Sequence, residues 1–154
     1  MDASDELAIR SLHSRYAQGV DRGRFAETAA LFAPDAVLEV QGSARVEGRA
    51  DIQRYFEGVG VTLEKTSASR LIRHHVTSAV VDAIDADHAH GAVYFLAITE
   101  RGVDHWGRYR DRYVRVAESV RDSGEVAGGW RFSERICITE GRAEGSWAGE
   151  NPVA

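Results

Sequence analysis

The stretch "LIRHHVTSAVVD", residues 71–82, is where apolar residues stop recurring every three or four positions and begin to alternate. Alternation rich in β-branched residues reads as a strand, and successive strand side chains point to opposite faces. His74 and His75 therefore cannot both look into one pocket. Which imidazole matters depends on what the flanking chain builds around them.

Upstream, the period is helical. Ile9, Leu12, Tyr16 and Val20 recur at spacings of three and four behind a Ser4 cap with acids in the first turn, and the run breaks at "DRGR", residues 21–24. Phe25, Ala29 and Phe32 repeat the spacing in a second, short helix that Pro34-Asp35 stops. The strand "AVLEV" follows at 36–40. Ile52, Tyr55, Phe56 and Val59 then form one apolar face of a third helix, ended by glycines, and "TLEKTSAS", residues 62–69, reads as a loop.

Downstream, four strands are predicted over about 70–82, 89–100, 105–118 and 129–140, joined by the turn-rich "DAIDAD", "ERGVD" and "RDSGEVAGG". Helices first and an antiparallel meander afterwards give an α+β domain, with the helices on one face of a curved sheet. One domain over 1–140 accounts for these elements. A Gly-rich tail follows at 141–154, in which Trp147 either closes a pocket or packs on a neighbouring subunit, or else belongs to a disordered end.

Composition narrows the function. A net charge of −5, with 19 basic residues scattered among 24 acids, offers no basic stripe for nucleic acid. The charged opening "MDASDELAIRSLHSRY" is neither a signal peptide nor a membrane span, so a cytoplasmic protein is expected. Cys137 is the only cysteine and lies in the apolar run "ICI", which reads as a buried structural thiol. A chain of this length buries roughly 70% of its unfolded surface, enough for a core with a pocket in it.

The segments "RYAQGVDRGRFAETAALFAPDAVLEV", "EGRADIQRYFEG", "RHHVTSAVVD" and "GRYRDRYVR" followed by "GGWRFSER" come in an order and at distances that resemble the SnoaL-like branch of the nuclear transport factor 2-like superfamily. The resemblance spans roughly residues 5 to 140. It implies a cone-shaped barrel: three N-terminal helices over a strongly curved, mixed and mostly antiparallel sheet that encloses an apolar pocket. Members include a polyketide cyclase, a ketosteroid isomerase, scytalone dehydratase, a bile-acid dehydratase, a hexachlorocyclohexane dehydrochlorinase and non-catalytic transport factors, so the fold alone does not fix the reaction.

In the eliminating members, an Asp after the first helix accepts a hydrogen bond from a strand His that removes a substrate proton. Asp21 and His74 fall on these positions. The dehydrochlorinase-like pattern places the base three residues before a Thr, as His74 stands before Thr77, whereas counting from Asp82 in the bile-acid dehydratase pattern selects His75. We take His74. Tyr16 matches the dehydratase tyrosine and would stabilise an oxygen that gains charge, although it also belongs to the helical core series. Two further dehydratase positions hold Val40 and Ala97 here, which removes a second proton donor.

Candidates for substrate contact are His75, Tyr55, Tyr94, Tyr109, Asp111 and Trp147. For Asp111 the preferred reading is half of a cross-strand pair with Arg135 that stabilises the sheet. His88 and His90 in "DHAH", even with Asp104 and His105 nearby, lack the spacing of a metal site, and no phosphate loop or dinucleotide fingerprint is present. The expectation is cofactor-free chemistry without a metal: a lyase or isomerase acting on a small apolar, cyclic or polyketide-like substrate. A non-catalytic ligand-binding or assembly module and a hydrolase using dyad-activated water stand as alternatives. Cover for the outer sheet face predicts a homodimer or homotrimer.

Overall fold

The computed structural model describes residues 1–66, 71–116, 129–146 and 148. Helix α1, Ala3–Asp21, begins at Asp2 rather than at Ser4: the Asp2 carboxylate accepts from the Ser4 and Asp5 amides, and the Asp5 carboxylate accepts from the Asp2 amide. This is a capping box built from two aspartates. A carboxylate two residues earlier is a stronger acceptor than the expected serine hydroxyl.

Helix α2, Phe25–Ala29, is shorter than its spacing predicts, because strand β1, Phe32–Val40, begins before Pro34. Proline is accommodated there by a register irregularity between Phe32 and Val37 in the pairing with the last strand. Strand β2, Ala44–Glu47, was not expected; it folds back on β1 around Gly42, whose φ of 75° suits a glycine. Four charged or half-exposed residues at an edge leave little periodic signal.

Helix α3, Arg49–Thr66, runs through the glycines expected to end it. At Gly60 a Cβ would stand 2.7 Å from the Phe25 ring, so this glycine serves the close approach of α2 and α3 rather than a helix stop. Strands β3 (Ile72–Ala83), β4 (His88–Thr99), β5 (Gly102–Arg115) and β6 (Trp130–Arg142) form the expected antiparallel meander. Strand β6 extends two residues into the expected tail.

The sheet order is β2-β1-β6-β5-β4-β3, with β1 and β6 parallel and every other pair antiparallel. The sheet curls without closing, and β2 and β3 are its edges. Its concave face and the helices share one core, in which Ile9, Leu12 and Tyr16 of α1 and Ile52 and Phe56 of α3 meet Phe32, Leu38, Val93, Tyr113, Trp130 and Phe132. Among the described residues, no helix is long and apolar enough to cross a membrane.

The start of α1 is tied to the far end of the meander. Asp5 accepts from Trp130 Nε1 at 3.1 Å and from Arg115 Nη2 at 2.8 Å, and the Arg115 guanidinium lies 4.7 Å from the Trp130 ring. These donors, the indole first, hold the Asp5 carboxyl down from 3.8 to about 2. A depressed carboxyl stabilises the fold fully above its unfolded value and loses that contribution as pH falls through the folded value. Asp5→Asn is therefore expected to lower the melting temperature at neutral pH and to flatten its decline between about pH 4 and pH 2, as measured by thermal unfolding across pH. An unaltered acid limb would rule out this anchor.

Candidate active site

Asp21 is the last residue of α1, which packs along the edge strand β3. Its carboxylate accepts the His74 backbone amide at 3.0 and 3.2 Å, and its Oδ1 lies 2.6 Å from His74 Nδ1. A carboxylate only accepts, so this contact assigns the proton to Nδ1 and leaves Nε2 as the basic nitrogen of the neutral ring. Both side chains are nearly enclosed, 10% exposed for His74 and 7% for Asp21.

His74 lines a cavity of about 540 Å³ between the concave sheet face and α3. Phe95, Tyr109 and Leu38 wall it from the sheet, Tyr55, Phe56 and Val59 from α3, and Tyr16 from α1. Tyr16 is surrounded by the rings of Phe32, Phe56, Tyr109 and Phe132 at centroid distances of 5.8–6.2 Å. Burial pushes the Tyr16 phenol well above its ordinary range, and those of Tyr55 and Tyr109 upward as well, so all three stay hydroxyl donors at neutral pH. Cys137 also borders the cavity; burial pushes its thiol up to about 12, which leaves it a poor nucleophile.

Three expected substrate-contact residues lie away from this cavity, and one of them, Asp111, forms the cross-strand pair read from the sequence. His75 is exposed on the face opposite His74, as strand alternation requires. Tyr94 is 54% exposed on the same outer face. Asp111 is buried but engaged: Arg135 Nε and Nη2 donate to its two oxygens at 2.8 Å each, the cross-strand pair set by the β5–β6 register. Trp147 lies outside the described residues.

Arg135 forms a charged floor beneath the cavity. Its guanidinium carbon lies 4.1 Å from the Tyr16 ring, 4.2 Å from Tyr109 and 4.1 Å from Phe132. Nη2 also donates to His13 Nδ1 at 2.9 Å; His13 Nε2 lies 3.0 Å from the Tyr113 oxygen, and the Tyr113 hydroxyl donates to Asp111. Burial first, and then the Arg135 charge, lower the His13 imidazole to about 3, so it stays neutral and accepts. Burial opposes the Arg135 charge, but the Asp111 carboxylate outweighs it.

His105 escaped the sequence reading. It stands on one rung with His74, since His74 pairs with Ala97 and Ala97 with His105, and its ring lines the cavity with a centroid 6.0 Å from that of His74. The β4–β5 register shifts between Ala97 and Ile98, leaving Asp104 as an extra residue on β5. This bulge lets two consecutive residues be buried together. Asp104 Oδ2 lies 2.8 Å from His105 Nδ1 and accepts from Ser146 Oγ at 2.6 Å. Register, not spacing, is the signal that finds His105. Among the described residues, no group of three or more His, Cys, Asp or Glu side chains is placed to hold a metal ion.

A family model for the SnoaL-like domain matches residues 1–136. The chain belongs to the SnoaL-like domain family. Among solved structures, this SnoaL-like chain resembles a scytalone dehydratase candidate from Novosphingobium aromaticivorans, with 24% identity, 91% of this chain and 87% of that one covered, and a TM-score of 0.71. It also resembles LinA, with 20% identity, 92% and 90% covered, and a TM-score of 0.71. A protein from Catenulispora acidiphila gives 23% identity, 89% and 92% covered, and a TM-score of 0.72. At these identities the likeness establishes the nuclear transport factor 2-like, or cystatin-like, fold. No curated protein matches the chain by sequence.

Arg135→Met would strand the Asp111 carboxylate in the core, and removing one partner of a buried pair costs about 3–5 kcal/mol. Chemical denaturation should show a loss of that size, with Asp111→Asn in the same chain recovering part of it. A loss within error would mean that the floor does not hold the fold.

Proposed function

We propose that this SnoaL-like protein is a cofactor-independent lyase or isomerase that removes a carbon-bound proton from a small, largely apolar, cyclic or polyketide-like molecule held in the cavity. The reading rests on one observation above all: an imidazole with its Nδ1 2.6 Å from an enclosed carboxylate borders a cavity walled mostly by aromatic and aliphatic side chains. His74 Nε2 takes the proton. Asp21 orients the ring and stabilises the imidazolium that forms. Tyr16, kept protonated by burial, donates a hydrogen bond to the oxygen that gains charge as the C–H electrons move toward a carbonyl.

The apolar walls support this division of roles. With little water to compete, the Asp21 carboxylate and the Tyr16 hydroxyl act through fixed dipoles that need no reorganisation during proton transfer. A positioned base contributes roughly 10²–10⁴-fold. The wild-type protein is expected to exchange the C2 protons of 3-hydroxycyclohexanone into D2O faster than buffer alone, and His74→Gln to lower that rate by roughly 10²–10⁴-fold, as followed by NMR. Exchange at the wild-type rate in this variant would remove His74 from the mechanism.

A further inference from the structure

His105 and Asp104 reproduce, from a different strand, the arrangement that Asp21 imposes on His74. In each case an imidazole Nδ1 meets a carboxylate oxygen, at 2.8 and 2.6 Å, and each ring lines the same cavity. The two rings stand edge to face with centroids 6.0 Å apart, so one small molecule lying against them meets both. Ala97, the residue between them in register, has too short a side chain to separate them. Elimination of water needs a base for the carbon-bound proton and an acid for the departing oxygen. A second oriented imidazole within a few ångströms of the first supplies the second function.

We propose that His105, oriented by Asp104, donates the proton to the leaving oxygen in a 1,2-elimination of water from a β-hydroxy carbonyl compound whose α-proton goes to His74. This rests on His74 acting as the base. His74 Nε2 bonds to the α-proton as the C–H bond breaks, and that electron pair forms the new C=C bond. The C–O bond breaks with its electrons going to oxygen, which takes the proton of the His105 imidazolium and leaves as water. The imidazole pair carries one proton more than two neutral rings before the step, on His105, and the same excess after it, on His74. A proton shift between the rings or through solvent restores the starting form.

The electrostatics around His105 fit a shared proton. The His105 imidazole is held below its ordinary range: burial, the largest influence, lowers its affinity for a proton, the Asp104 hydrogen bond offsets this in part, and a charge on His74 lowers it further. Two imidazoliums side by side are therefore disfavoured. Among the described residues, the other titratable or charged groups around the pair are Asp21 and Tyr16 from α1, Arg54 and Tyr55 from α3, Tyr109 from β5, and Cys137 and Arg142 from β6. Phe95 packs against the ring at 5.7 Å, and Ser146 secures Asp104 from behind. Asp104 is a positioning residue: it reaches the substrate only through His105.

The test is to follow C2 exchange and cyclohex-2-enone formation together, with 3-hydroxycyclohexanone in D2O. His105→Gln is expected to lower enone formation by roughly 10²–10⁴-fold while lowering exchange far less; elimination from 3-acetoxycyclohexanone, whose leaving group needs no proton, should be largely spared. His74→Gln loses exchange and elimination alike. If His74→Gln keeps exchange, the base reading fails. If His105→Gln keeps enone formation, or loses exchange and elimination equally, the donor reading fails on its own.

A substrate-free measurement decides whether the rings are coupled. NMR titration of His105 should show its midpoint rising in His74→Gln and falling in Asp104→Asn, and a midpoint indifferent to both overturns the proposal. In Asp104→Asn, the alkaline decline of the elimination rate moves to lower pH, a displacement that a purely structural role would not produce.

Discussion

One carboxylate joins the two halves of this fold. Asp21 stands at the C-terminal end of α1, where a negative charge is disfavoured by the helix dipole and no basic residue occupies the last turn to offset it. It is held there by two donors from a single residue, the amide and the ring of His74. Hydrogen bonds to a charged group contribute about 1.5–3 kcal/mol each. The amide contact also fills a place that the sheet leaves open, since β3 is an edge strand and Asp21 takes a hydrogen that no neighbouring strand accepts. Tying α1 to the sheet edge and fixing the tautomer of His74 are thus one interaction.

The Arg135 cluster plays a complementary part at the closed end of the cavity. Charges this deeply buried are costly unless they are paired, and here Arg135 Nε and Nη2, Asp111, His13 and Tyr113 form a hydrogen-bonded loop across β5, β6 and α1, while Arg135 Nη1 is buried without a hydrogen-bond partner among the described residues. Three aromatic rings pack on the guanidinium, two of them belonging to the cavity wall. Tyr16 is therefore held from below by a cation whose own position is over-determined. A tyrosine placed this way belongs to the core and to the pocket at once, so its two sequence readings do not compete.

Much of this was legible in the sequence. The change of period at residue 71 separates helices from meander, and strand alternation alone sends His74 and His75 to opposite faces. The order and distances of four segments carry the resemblance to SnoaL-like proteins, which in turn points to Tyr16, Asp21 and His74. What stayed hidden depends on contacts between distant segments. Gly60 looks like a helix stop until Phe25 is found against it. Strand β2 is too short and too charged to show a period. The pairing of Asp104 with His105 breaks the alternation rule through a bulge that exists only once β4 and β5 are in register.

The cavity draws its walls from two sets of elements. The imidazoles and their carboxylates come from α1, β3 and β5, whereas α3, which contributes Tyr55, Phe56, Val59 and Thr62, packs chiefly on α2, β1 and β2. Substitutions along one face of a single helix can therefore reshape the mouth while the imidazoles keep their carboxylates. The shape of the mouth can drift during evolution, or be redesigned, without disturbing the two imidazole–carboxylate pairs. A scaffold divided in this way is well suited to generating relatives that share these pairs and differ in what they accept.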